Sequence, residues 1–229
     1  MIPVWFYGLD AVMYFVSAMV GLLLSFYLYK IYSLSNERRH LYLFGGFLIL
    51  SIALLCLSIS DAYSYISFWQ CGPRCTLGLL LQDFSITSLA YFTYFGMSLM
   101  AYSLFMISYL PAKFKVPNLP LWLFCAYFFI ILVSLPLTNG MMSWQSYSGF
   151  FDMIAFLMLL FVTFINVLNH DEKRTLDSML VMAAFLLLSL FHLIHIFSQI
   201  SEWMYVLSHL SLLASFTILL FVMVKVKGK

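Results

Sequence analysis

The chain has 229 residues, of which 64% are hydrophobic and only 9% charged, against roughly 45–50% and about 25% in soluble domains. A water-soluble fold lacks the charged surface it would need, and intrinsic disorder would need low hydrophobicity and high net charge, so both are excluded. The formal net charge of +2 comes with no basic stripe interleaved with aromatics, and nucleic acid is not an expected partner. The class that remains is an all-α integral membrane protein, multi-pass in the cell membrane, with membrane lipid as its solvent.

A helical span needs about 20 mostly apolar residues. Seven runs qualify, at 9–32, 41–64, 79–109, 119–137, 148–168, 176–200 and 203–225. Strands of a β-barrel would alternate polar and apolar residues over about 10 positions, and these runs do not. The expected fold is one seven-helix transmembrane domain over residues 1–229.

Span one carries Asp10, Tyr14, Ser17, Gly21 and Ser25 on one helical face, by the three-four-seven spacing. No Lys or Arg occurs in its first ten residues, so it reads as a retained anchor rather than a cleaved signal peptide. The connection 33–40 holds Arg38 and Arg39. Span two aligns Ser51, Ser58, Asp61 and Tyr65, and Cys56 within it reads as a small buried hydrophobe. Cys71 and Cys75 then flank Gly-Pro-Arg. They read as a disulfide closing a short loop in an oxidising compartment, with two thiol ligands for a metal as the alternative.

Span three bears a long stripe of Asp83, Thr87, Tyr91, Tyr94, Ser98 and Tyr102. The stripe is either packing or the lining of a pocket for a flat hydrophobic ligand such as a quinone or polyene. Span four has almost nothing polar and is expected at the periphery. Span five offers Asp152, Thr163 and Asn166, and the charged run 170–174 follows it. Span six offers Ser189, His192, His195 and Gln199; after a tight turn at Ser201-Glu202, span seven offers Tyr205 and His209.

Lys and Arg segregate. Of the 11 in the chain, all but Arg74 fall on the face that carries the 36–40 loop. The positive-inside rule makes that face cytoplasmic, with the N-terminus outside and the C-terminus inside. The acids Asp10, Asp61, Asp83, Asp152 and Glu202 then lie in the outer half, with Arg74 as their one strong base. A buried carboxylate is costly unless it is protonated, paired or bound to a cation, and the histidines are the available partners.

His195 lies seven residues before Glu202 and His209 seven after it, so at 1.5 Å rise per residue each sits about 10 Å below the turn. His192 lies one turn deeper, and Asp83 enters at a similar depth. Three readings of this centre compete. His195 and His209 could ligate a haem b iron, or His192, His195, His209 and Asp83 a Zn or Cu ion. Carboxylates and histidines could relay protons or cations. Or the polar groups simply hold helices together by hydrogen bonds. Asp10, Asp61, Asp152, Glu202, Tyr91 and Tyr94 would line the surrounding polar pocket.

No G-x-S-x-G, H-E-x-x-H or Walker loop occurs, so an enzyme is not the expected class. The longest connection on the basic face is too short for a signalling domain. Seven spans, short loops, an outside N-terminus and Asp83 with Thr87 in a D-x3-T pattern resemble the layout of the microbial rhodopsins. That family binds retinal through a lysine in mid-span seven, and this span has none before Lys225, so covalent retinal is not expected. The functional expectation is a sensor-like or accessory subunit with an outer-facing polar pocket, partnered by another membrane protein or a second copy of itself. The alternatives are a haem- or metal-binding redox protein and an opsin-like proton or cation path without covalent retinal.

Overall fold

A computed structural model describes residues 5–6, 8–71, 77–110, 144–173 and 175–227, with side chains described for 5–6, 8–66, 87–110, 148–168, 175–198 and 200–225. All regular structure there is helical: α1 (Leu9–Ser35), α2 (Arg38–Cys71), α3 (Leu77–Tyr109), α4 (Trp144–Lys173), α5 (Leu176–Ile196) and α6 (Glu202–Lys227). Each is long and apolar enough to cross a membrane. The chain is therefore a helical membrane protein with lipid contact, and its described part supplies six membrane-competent helices. The expected fourth span, 119–137, lies outside the described residues.

Local chemistry sets the boundaries. Gly8 enters α1 at φ +94°, a left-handed conformation that L side chains rarely adopt, with the Tyr65 ring packed against it. Asn36 closes α1 at φ 54°, and its N–H donates to the Tyr32 carbonyl. Asn tolerates that conformation, so two residues suffice to reverse the chain into α2. That helix runs past its expected end at 64 to Cys71, because nothing between 65 and 71 is a Gly or Pro. Thr175 caps α5, its hydroxyl accepting from the Ser178 N–H at 3.3 Å. The sixth span ends as α-helix at Ile196, earlier than expected, and tightens into a 3-10 turn over Phe197–Gln199. A tighter last turn satisfies end carbonyls while starting a sharp reversal.

The helices form a closed ring in which each packs on the next in sequence and α6 returns to α1. Polar faces turn inward. Asp10, Tyr14, Ser17, Gly21 and Ser25 of α1 are all buried, while Val12, Phe15, Met19, Leu23 and Phe26 on its other face are exposed and suited only to lipid. Phe47, Phe105, Phe185 and Phe216 from four helices fill the middle. Hydroxyls tie neighbours together: Ser58 donates to the Ala11 carbonyl at 2.7 Å, and Ser211 and Ser215 donate to Leu187 and Ala184 at 2.7 and 2.8 Å.

Among sequential neighbours, one pair runs in the same direction. Phe151 of α4 stacks on Phe95 of α3 with ring centroids 4.1 Å apart. Fifteen residues further on, Asn166 lines the same cavity as Tyr109. All other sequential neighbours are separated by no more than five residues and run antiparallel.

Two glycines set the closest helix approaches. A Cβ on Gly21 would collide with the Ser51 hydroxyl and meet the Phe216 ring, and one on Gly46 would collide with the Phe105 ring. Such small residues let backbones approach where lipid supplies no hydrophobic drive. Gly46→Leu is expected to destabilise by about 1–3 kcal/mol, the usual cost of overpacking. Gly149, with nothing near it, should tolerate Ala. Unfolding midpoints of the two variants in detergent check the contrast.

Candidate functional site

The polar centre is built around Asp152, near the start of α4. Its carboxylate is 3% exposed and is held at both oxygens: Oδ1 lies 2.8 Å from His192 Nδ1 and Oδ2 lies 2.8 Å from His195 Nδ1. The two histidines are three residues apart on α5, the spacing that puts both rings on one face. His192 is fully buried, and its Nε2 lies 2.8 Å from the Tyr102 hydroxyl of α3. An ionised carboxylate only accepts. His192 then donates from Nδ1 and accepts the Tyr102 O–H at Nε2, and His195 donates from its own Nδ1. Tyr94 and Ser98 neighbour the Tyr102 hydroxyl.

The four groups form a hydrogen-bonded chain: Tyr102, His192, Asp152, His195. Its inner end is sealed, whereas the His195 side chain keeps 14% exposure. With both imidazoles neutral the chain holds one negative charge.

A second cluster abuts the first. Asp10, 2% exposed, accepts from the backbone N–H groups of Gly8 and Ala11 at 3.0 and 2.8 Å through Oδ1, and from the Tyr205 hydroxyl at 2.9 Å through Oδ2. Its charge thus sits at the positive end of α1. His209 lies one turn beyond Tyr205, and its Nδ1 donates to the Tyr205 carbonyl at 2.8 Å. The fully buried Nε2 has no hydrogen-bond partner. The rings of Tyr14, Tyr205 and Phe6 surround it, with centroids 4.8, 4.4 and 5.7 Å from that of His209. His195 joins the clusters, its ring 6.0 Å from Tyr205 and 6.4 Å from His209.

Five helices thus contribute to one polar arc. The structure brings His195 and His209 together across α5 and α6 in an edge-on arrangement, and places Asp10, Asp152, Tyr91 and Tyr94 in the buried interior of the same end. Asp61 is half-buried, with Oδ2 unpartnered. Glu202 is exposed at the first residue of α6 and belongs to the rim. Thr87 bonds Ser64 at 2.9 Å. The side chains of Asp83, Cys71 and Cys75 lie outside the described residues. Among the described residues no three His, Cys, Asp or Glu side chains converge on a point that could hold a metal ion. Both nitrogens of His192 are already engaged, which removes it from a ligand set.

The Asp152 clamp was missed in the sequence, though a signal existed. Asp152 lies 22 residues before Arg174 and His195 lies 21 after it. The same equal-depth reasoning, applied to the α4–α5 hairpin, places them level. Tyr102 as the partner of His192 had no comparable signal, because α3 and α5 are not consecutive helices joined by a short connection.

Deleting the carboxylate leaves two imidazole N–H groups without an acceptor, so Asp152→Ala should lower the unfolding midpoint more than Ser60→Ala, whose hydroxyl is already unpartnered. A double-mutant cycle of Asp152→Ala with His192→Ala should give a coupling of about 1 kcal/mol or more. Additive effects would mean the contact contributes nothing.

The chain matches no family model, no curated protein and no solved structure.

Proposed function

We propose that this protein is a sensor-like or accessory component of a membrane assembly whose responsive element is the Asp152–His192–His195 centre, acting as a proton-binding site. The observation that carries the reading is one buried carboxylate shared between two imidazoles at 2.8 Å each, one of them reaching toward the surface. Ionisable residues at membrane depth mark proton relays and ligand sites more often than they mark lipid contacts. Histidine is the side chain that titrates between about pH 5 and 8. Proton uptake would change the charge that ties α4 to α5, and Tyr102 would carry the change to α3. A separate membrane protein or a second copy would then read the altered packing.

This reading includes a seventh span at 119–137, with the His–Asp end outside. Two observations support it. Because α3 and α4 run in the same direction, the connection between them has to return from one end of the bundle to the other. Arg39 and Lys225 also lie at the end opposite the His–Asp centre, in keeping with the positive-inside rule.

A haem-binding reading has one specific support. His195 and His209 each have Nδ1 held by an acceptor, a carboxylate and a carbonyl respectively, which leaves Nε2 for an axial ligand position. The visible spectrum of the purified protein decides it: a sharp band that shifts on reduction and disappears in His209→Ala favours haem b, and a colourless protein removes it.

Infrared difference spectra recorded across a pH step from about 8 to 5 test the main proposal. In a His40→Gln, His170→Gln background, an imidazole band should titrate across the step and be altered in both His195→Gln and Asp152→Asn. Spectra without a titrating imidazole band, or with one unaltered in both variants, would refute a proton-binding role.

A further inference from the structure

The bundle has a second polar feature at its other end. Ser178 and His195 are 17 residues apart on α5, about 25 Å at 1.5 Å per residue. A cavity of about 440 Å³ opens there, lined by residues from all six described helices, within the 300–1,000 Å³ typical of small-molecule sites. Its walls divide by chemistry. The floor is apolar, with Leu28, Phe47, Val181, Phe185 and Leu219, and the mouth is polar, with Arg39, His40 and Thr175.

The mouth holds one cation without an acidic partner among the described residues. Arg39 lies with its guanidinium carbon 4.5 Å over the Tyr109 ring centroid, and among the described residues no carboxylate pairs with it. The acid nearest the mouth, Asp177, is matched by Lys225 at 2.8 Å. Glu37 sits 3.4 Å from His40 Nε2, while the buried His40 Nδ1 has no partner. The first turns of α2 and α5 both border the mouth and add the partial positive charge of their unpaired N–H groups. Nothing in the His–Asp centre requires any of this.

We infer that this cavity binds an anionic amphiphile, with its acidic head at Arg39 and His40 and its hydrocarbon chain on the floor formed by Phe47, Val181 and Phe185. A free anion would leave the apolar floor uncovered. A neutral or cationic chain would leave Arg39 unmatched. Basic pockets between membrane helices recognise acidic head groups in this way. The inference is independent of the proton-binding reading.

The test uses the whole chain purified in dodecyl maltoside, with palmitate and hexadecyl phosphate as anionic probes. The controls are hexadecyltrimethylammonium and inorganic phosphate. Binding is read as a rise in the unfolding midpoint and as a bound adduct in native mass spectrometry. Both anionic chains should bind, and neither control should. Arg39→Gln should weaken palmitate binding at least ten-fold, and Val181→Trp, which fills the floor, should do the same. Arg39→Lys should retain most of the affinity, and His40→Gln, expected to weaken palmitate binding, takes over the head-group test should Arg39→Gln lose its folding transition. Equal binding of the cationic chain, binding of inorganic phosphate alone, or unchanged affinity in the head-group and floor variants would overturn the inference.

Discussion

A carboxylate inside an apolar bundle has to find donors there, since no water in the hydrocarbon core can supply them. Asp152 takes both of its donors from one face of α5. That choice fixes the register between α4 and α5, because sliding either helix by a residue would detach one imidazole. It also fixes His192, whose remaining nitrogen can then only meet a partner on α3. The orientation of Tyr102 follows from this. Three helices are thereby set relative to one another by a single buried charge.

The same constraint explains the rest of the interior. Asp10 is satisfied by backbone N–H groups at the start of its own helix and by Tyr205 from α6, which closes the ring of helices. Serine hydroxyls donate to carbonyls of neighbouring helices, and small residues at 21 and 46 let those helices come close enough. His209 is one of several exceptions. Its Nε2 sits among aromatic rings with nothing to bond. An unmatched buried nitrogen beside a His–Asp cluster is the kind of local disagreement that functional sites carry.

The bundle is chemically divided along its length. One end holds carboxylates shared with histidines and tyrosines. The middle is sealed by phenylalanines from four helices. The other end holds a cavity with a cationic mouth.

Much of this was legible in the amino-acid order. Runs of about 20 apolar residues located the helices, because a bilayer sets their minimum length. The three-four-seven spacing identified the inward faces: Asp10, Tyr14, Ser17 and Ser25 on α1, and His192 beside His195 on α5, are where that periodicity puts them. The Ser201-Glu202 turn was enough to set His195 level with His209. Three features were decided only by the tertiary structure: which acid the histidines meet, which face of α3 they touch, and where a cavity remains. Sequence periodicity orients a helix about its own axis. It cannot say which helices not joined by a short turn lie side by side, as α3 and α4 do here, running in the same direction. Pairing across such a contact depends on how six side-chain surfaces fit together at once, and that information is not local to any segment of the chain.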